Sequence, residues 1–199
     1  MKNLALTGVI VFLTVTGCAS ERPPSIDSSS TQSSIDVSSD TAGQEGSEKQ
    51  VVTFADGEFE IEFPSEWNEN EQDNPYDLQY ISAKQNMNTG IFLYKSIDLA
   101  ADSTPQQTFT FHVEDLQTKR ENFTVLEPET TASIADKTLT TVVYSGENEG
   151  GKNYYKITLI EFAEQPEQFL IVLQVSLPSA WDESKPILEA ITQSASPIL

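Results

Sequence analysis

The chain has 199 residues and a formal net charge of -20 at pH 7, with 31 Asp and Glu side chains against 11 Lys and Arg. Proteins that bind nucleic acids or anionic lipid headgroups do so mainly through Lys and Arg. The composition therefore predicts that the chain has no nucleic-acid partner.

The first 17 residues are typical of a secretory signal peptide. Lys2 supplies a short positive segment, and an uninterrupted apolar stretch extends from Leu4 to Val15 with only Thr and Gly between its larger side chains. This stretch is too short for a permanent membrane span, which needs about 20 apolar residues. We therefore predict that residues 1–17 are a signal peptide.

The motif Val15-Thr16-Gly17-Cys18 contains the one cysteine of the sequence. A lone cysteine cannot close an internal disulfide. The motif resembles the lipobox of bacterial lipoproteins, which implies cleavage between Gly17 and Cys18 and a diacylglyceryl group on the Cys18 sulfur. Two or more acyl chains, such as palmitate, hold a protein stably on a membrane. We expect an anchor on the extracytoplasmic face of the cell membrane. The alternative is an ordinary secretory signal with a cysteine there by chance.

Residues 18–50 are rich in Ser, Asp, Gly and Pro and contain no aromatic side chain. Such a segment buries too little apolar surface to offset the entropy lost on ordering. It is predicted to be a disordered tether with a typical span of about 30 Å.

Residues 51–199 carry regular apolar and aromatic positions, which predict one folded domain. Phe59, Ile61 and Phe63 alternate with glutamates, so this strand has one buried and one solvated face. The predicted elements are strands at 51–54, 59–63, 76–83, 91–97, 124–126, 137–144, 154–162 and 169–177, and helices from Ser103 or Thr104 to about Asn122 and from Ser179 to Ala195.

Strands outnumber helices, and the later strands follow one another through short turns. The pattern lacks the strand–helix alternation that a parallel sheet needs. The sequence therefore predicts an α+β fold with an antiparallel β-sheet flanked by two helices.

The order of these segments, with FEIEFPSEW near the start, KTLTTVVYSGENEGGKNYYKITLIEF as a long hairpin and FLIVLQVSLP before the closing helix, resembles the PsbP-like superfamily. That group includes PsbP, the Ran-binding Mog protein and envelope lipoproteins of the DcrB type. The resemblance implies an α/β/α sandwich and a non-enzymatic binding or assembly role. It carries over no catalytic residue.

Two features of the sequence suggest a phosphate-binding or catalytic site. Residues 146–153 (GENEGGKN) come within one residue of a phosphate-binding loop, but a strand rather than a helix follows, so a hairpin turn is predicted. The single histidine, His112, is predicted to lie at the surface or boundary of the first helix. With Cys18 lipidated, no nucleophilic triad or zinc set can be assembled around it. Neither catalytic residues nor a cofactor are predicted.

An acidic loop that includes Glu69, Glu71 and Asp73 is a weak candidate for a calcium site, because calcium prefers six to eight oxygen ligands. The loop lacks the spacing of the twelve-residue calcium loop, so a solvated surface loop is favoured. Five aromatic side chains could line a cleft, although aromatics at strand spacing more often belong to the core. They are Trp67, Tyr76, Tyr80, Tyr94 and Trp181.

The sequence thus favours a membrane-anchored extracytoplasmic lipoprotein whose domain binds an unidentified envelope protein or assists its assembly. The first alternative is an envelope module that binds a small ligand or calcium for sensing or uptake. A weaker alternative is an envelope hydrolase: a carboxylate pair could be drawn from the many acidic residues, but the sequence places no two of them at the separation that glycoside hydrolysis needs.

Overall fold

The computed structural model describes residues 48–82, 84, 86–100 and 103–198. The predicted signal peptide (1–17), Cys18 and the tether up to residue 47 lie outside the described residues, so those predictions stand as they were made. Within the described part of the chain, no helix has both the length and the apolar character needed to cross a bilayer.

The described residues form ten strands and two α-helices. In chain order these are β1 (Lys49–Phe54), β2 (Phe59–Pro64), β3 (Asn68–Glu69), β4 (Leu78–Ser82), β5 (Met87–Lys95), α1 (Pro105–Thr118), β6 (Glu121–Ile134), β7 (Lys137–Asn148), β8 (Gly151–Phe162), β9 (Gln168–Ser176), α2 (Trp181–Ser194) and β10 (Ser196–Pro197).

The strands form two antiparallel sheets. The large sheet has the order β3-β4-β5-β9-β8-β7-β6, and the small sheet has the order β1-β2-β10. The predicted α+β class, with an antiparallel sheet flanked by two helices, is confirmed, and the structure adds the small second sheet. Alternation along β2 shows that Phe59, Ile61 and Phe63 share a buried face, yet alternation does not specify which neighbour covers that face.

The two helices cover opposite faces of the large sheet. Phe109 and Leu116 of α1 pack in one core with Ile157 of β8. Leu188 and Ile191 of α2 pack in a second core, together with the buried side chains of β2. Strand β8 is therefore buried on both faces, and the layers correspond to the expected sandwich.

Helix α1 begins as predicted. The Gln107 backbone N–H donates to Thr104 Oγ1 at 3.2 Å, and the Thr104 backbone N–H donates to Gln107 Oε1 at 2.9 Å. This reciprocal capping box and Pro105 in the first turn fix the start of the helix. The predicted end at Asn122 is wrong. The helix stops at Thr118, because β6 begins at Glu121 and Asn122 has a left-handed backbone with φ of 49°.

The prediction of a three-residue strand at 124–126 is also wrong, since β6 has 14 residues. Most of its side chains are exposed on both faces, so no apolar alternation marks the strand. As an edge strand, β6 accommodates Pro128 and several register shifts.

Candidate functional site

Helix α1 presents an aromatic side chain to solvent. Phe111 is 63% exposed, whereas Phe109, two residues earlier, is 2% exposed. Two helical positions differ by about 200°, so the two rings point in nearly opposite directions. Phe109 therefore belongs to the core, and Phe111 is left without a covering element in the described chain.

An open groove of about 300 Å³ lies beside this ring. Thr108 and Gln107 of α1 line it together with Phe111, and Tyr94 of β5 lines its opposite side. Ser103, just before the helix, completes the lining. We call this surface the α1 groove. Its volume is large enough to take one large side chain of another protein.

Tyr94 is held in place from two directions. Its hydroxyl is hydrogen-bonded to His112 Nε2 at 2.7 Å. Its ring stacks on Phe169 with centroids 5.3 Å apart. The Tyr94 side of the α1 groove is therefore preformed, which lowers the entropic cost of binding there.

His112 lies in the middle of α1, at the boundary between its buried and exposed faces, as predicted. It is half-buried against Phe92, with ring centroids 4.5 Å apart. Burial lowers the pKa of His112, and the nearby Asp115 carboxylate only partly opposes this shift. Burial also raises the pKa of Tyr94. Both partners of the hydrogen bond are therefore uncharged near neutral pH.

A second cavity, of about 130 Å³, lies on the other side of His112. Tyr76, Asp115 and Arg120 are among its polar lining residues. Arg120 Nε donates to Tyr155 Oη at 2.8 Å, and the guanidinium lies 5.2 Å from the centroid of the same ring. The arginine is thus fixed by a hydrogen bond and a cation–π contact.

The position of Tyr76 depends on Gly90 of β5. A Cβ atom at position 90 would lie 2.3 Å from Tyr76 Cε1, which is far inside van der Waals contact. The absence of a side chain at Gly90 lets the Tyr76 ring pack flat on the strand and against Phe92, with centroids 4.8 Å apart. This glycine therefore shapes the wall of the second cavity.

Together these residues form an aromatic surface with hydrogen-bonding tips. Tyr and Arg are enriched in protein–protein interfaces and their energetic centres. Among the described residues, no group of three or more His, Cys, Asp or Glu side chains is arranged to hold a metal ion. The arrangement presents aromatic faces and hydrogen-bonding groups to a molecule that contacts it.

The acidic loop predicted as a weak calcium candidate directly precedes Tyr76 in the chain. Glu69, Glu71 and Asp73 are exposed. The neighbouring amides hold the loop itself: Asn74 Nδ2 donates to the Gln72 carbonyl at 2.7 Å, and Asn74 Oδ1 accepts from the Tyr76 backbone N–H at 2.9 Å. These oxygen-bearing side chains thus order the backbone of the loop.

The other sequence candidates separate into core and surface. Trp67, Tyr80 and Trp181 are buried core residues, as favoured from the sequence. Tyr76 and Tyr94 are half-buried. Tyr76 lines the second cavity and Tyr94 lines the α1 groove, so these two residues line a cleft instead of belonging to the core. Residues 146–153 form the predicted hairpin: they comprise the end of β7, a turn at Glu149 and Gly150, and the start of β8.

Sequence reasoning missed two features. Phe111 falls outside the apolar spacing of Phe109, Val113 and Leu116, and this mismatch was a usable signal of an outward-facing ring. Lys156 and Gln174 are buried in the middle of β8 and β9. Gln174 interrupts the apolar run FLIVLQV of β9, and this interruption was the available signal, whereas β8 contains several polar residues and Lys156 does not stand out among them.

The lowered pKa of His112 predicts a pH-dependent stability. In the unfolded chain His112 has a pKa of about 6.5, so it binds a proton at a higher pH there than in the folded protein. The free energy of unfolding should therefore fall as the pH drops through about 6.5 and level off below the folded pKa. The free energy of unfolding, measured with urea between pH 8 and pH 5, should decrease less in His112→Gln than in wild type. Thr110→Ala, on the exposed face of α1, is the control. Equal slopes in all three proteins would contradict the assignment.

No family model and no curated protein matches the chain. Several solved structures do. The Ran-binding protein Mog1p of Saccharomyces cerevisiae is 14% identical with a TM-score of 0.53, and the match covers 75% of this chain and 95% of that one. Cyanobacterial PsbP (CyanoP) of Synechocystis sp. PCC 6803 is 11% identical with a TM-score of 0.57, and the match covers 79% of this chain and 98% of that one. LpqN of Mycobacterium tuberculosis, described as involved in cell envelope biogenesis, is 12% identical with a TM-score of 0.55, and the match covers 76% of this chain and 91% of that one. At these identities the likeness concerns the fold, and the chain has the PsbP/Mog-like fold.

Proposed function

We propose that this protein is a bacterial envelope lipoprotein, anchored through Cys18 on the extracytoplasmic face of the membrane. Its folded domain binds another envelope protein through the α1 groove, without catalysis. The observation that carries this proposal is the exposed Phe111 ring beside a preformed groove.

An exposed aromatic ring next to a groove can anchor a protein interface. A few buried aromatic contacts carry most of the binding free energy in protein complexes. Phe111 would be withdrawn from water by a partner, while a partner side chain would enter the groove against Tyr94. Because the hydrogen bond to His112 already fixes Tyr94, little side-chain entropy is lost there.

The charge of the chain suggests the chemistry of the partner. The whole chain carries a formal charge of -20. On α1, Glu114 is exposed close to Phe111, and the nearby Asp115 forms an ion pair with Lys119 at 2.7 Å. A partner with an apolar side chain for the groove and basic residues around it would be complementary, and such charges also speed association.

The structural likenesses are consistent with this role. Mog1p is named as a Ran-binding protein, and LpqN is described as involved in cell envelope biogenesis. These are properties of those proteins, and they support the proposal only as examples of one fold that serves binding and envelope roles.

Photo-cross-linking in intact cells tests the docking surface. p-Benzoyl-phenylalanine would replace either Phe111 or Val51, which are 63% and 61% exposed. Val51 lies on the small sheet and serves as a matched control. We expect a discrete cross-linked protein from position 111 and none, or a different set, from position 51. Identical cross-linking from both positions, or none from position 111, would contradict docking at the α1 groove.

The anchor is tested separately by Cys18→Ser. Without the sulfur no thioether can form, so the variant should leave the membrane fraction or accumulate with its signal uncleaved. Fractionation and mass spectrometry of the amino terminus provide the measurement, and globomycin treatment of the wild type should likewise block cleavage. Membrane processing that is unchanged by both treatments would rule out lipidation at Cys18 and leave the docking proposal to its own test.

A further inference from the structure

Strand β8 carries a lysine on its buried face. Lys156 is 4% exposed, and it lies on the side of the strand that faces α2, opposite Tyr155 and Ile157. A buried ammonium group is costly unless hydrogen-bonded or paired with an opposite charge. The contacts of this group therefore need an explanation.

Both hydrogen-bond partners of Lys156 are uncharged. Its Nζ donates to Gln174 Oε1 at 3.0 Å and to Thr192 Oγ1 at 3.2 Å. Gln174 is in turn fixed by donating from Nε2 to the Leu188 carbonyl of α2 at 2.9 Å. Among the described residues, Lys156 forms no ion pair. An ammonium has three protons, so one donor remains beyond these two bonds.

Lys156 lines a cavity of about 160 Å³ between α2 and the β6–β8 end of the large sheet. The hydroxyl-bearing residues Thr130, Thr141 and Thr192 also line it. The volume corresponds to roughly five waters at about 30 Å³ each, which is enough for a molecule of a few heavy atoms. The cavity therefore offers a buried ammonium group that has no ion-pair partner among the described residues, in a space for several waters lined by threonine hydroxyls and by the apolar side chains of Ala132, Ile134, Leu139 and Val143.

The other charged residues in the lining limit the kind of ligand. They are Glu127 of β6 and Lys185 and Glu189 of α2. Lys185 and Glu127 form an ion pair at 2.8 Å, so neither charge is free. Glu189 is unpaired among the described residues and would repel a second negative group on a ligand. A single negative charge on the ligand is therefore favoured.

We propose that this cavity is a binding site for a small monocarboxylate, whose carboxylate accepts a hydrogen bond from Lys156 Nζ and packs among the threonine hydroxyls. The site lies on the face of the large sheet opposite α1, so it does not depend on the proposed protein docking. Nothing in the α1 groove contributes to it.

Lys137 shows what a purely structural lysine looks like in the same fold. It is 8% exposed, and its Nζ donates to the Gln193 carbonyl at 2.6 Å and to the Ala195 carbonyl. These are free carbonyls at the end of α2, where a positive charge is favourable. Lys137 does not line the cavity, which makes it a matched control.

Protonation of Lys156 adds a test that requires no mutation. Burial lowers the pKa of Lys156 to about 8, with Glu189 opposing the shift. From pH 7 to 9.5 the protonated fraction of a group with this pKa falls roughly thirtyfold. Lys185 keeps its charge in this range because the hydrogen bond that it donates to Glu127 raises the pKa of Lys185. Carboxylate affinity should therefore fall by about the same factor.

The experiment uses the full chain in non-ionic detergent and measures the melting temperature and side-chain NMR shifts. Sodium propanoate is titrated against sodium chloride of equal ionic strength, and propanamide is the neutral isostere. We expect a saturable effect of propanoate, at least tenfold weaker binding of propanamide, and a loss of propanoate affinity at pH 9.5. Lys156→Met should abolish the effect, and Lys137→Met should retain it.

Three results would overturn the proposal: propanoate and propanamide acting alike, propanoate binding that persists in Lys156→Met, or propanoate affinity that is unchanged at pH 9.5. If Lys156→Met does not fold, the isostere comparison and the pH dependence of the wild type still decide between binding and no binding.

Discussion

The organisation of this fold is constrained by how little helix is available to cover the large sheet. Seven strands at about 4.8 Å spacing give a sheet roughly 30 Å wide, whereas a helix is about 10 Å wide. Each face has one helix of 14 residues. The small sheet extends the cover on the α2 side, where the side chains of β2 join the core. Beyond this cover, sheet residues meet water or polar side chains.

The two proposed binding sites lie at the margins of this cover. On one face, the edge of α1 meets Tyr94 and His112, whose hydrogen bond satisfies two polar tips above an aromatic core. On the other face, the edge of α2 meets Lys156 and Thr141 beside the exposed strand β6. Amphipathic and polar side chains are placed where a helix stops covering the sheet, because fully apolar side chains would be exposed there. The two proposed binding sites are consequences of the same shortage of cover.

Local chemistry in the sequence was enough to predict many elements. Thr104 with Gln107 three residues later identified the start of α1, and the alternation of Phe59, Ile61 and Phe63 identified a half-buried strand. The separate small sheet was not predictable, because the pairing of β2 with β10 joins residues more than 130 positions apart. Strand β6 was underestimated because its exposed, threonine-rich sequence lacks periodicity. The sites were missed for a similar reason: a buried lysine and an exposed phenylalanine both contradict average residue preferences, and only tertiary contacts reveal their roles.

We propose that the two faces of the large sheet have different roles: α1 contacts a protein partner, and α2 encloses a small cavity. Hydrogen–deuterium exchange of the full chain can separate these roles, by comparing the purified protein with the protein in its native membranes. We expect slower exchange of the amides in α1 (Pro105–Thr118) in native membranes and unchanged exchange in α2 (Trp181–Ser194). Slower exchange confined to α2, or identical exchange of α1 in both preparations, would contradict different roles for the two faces.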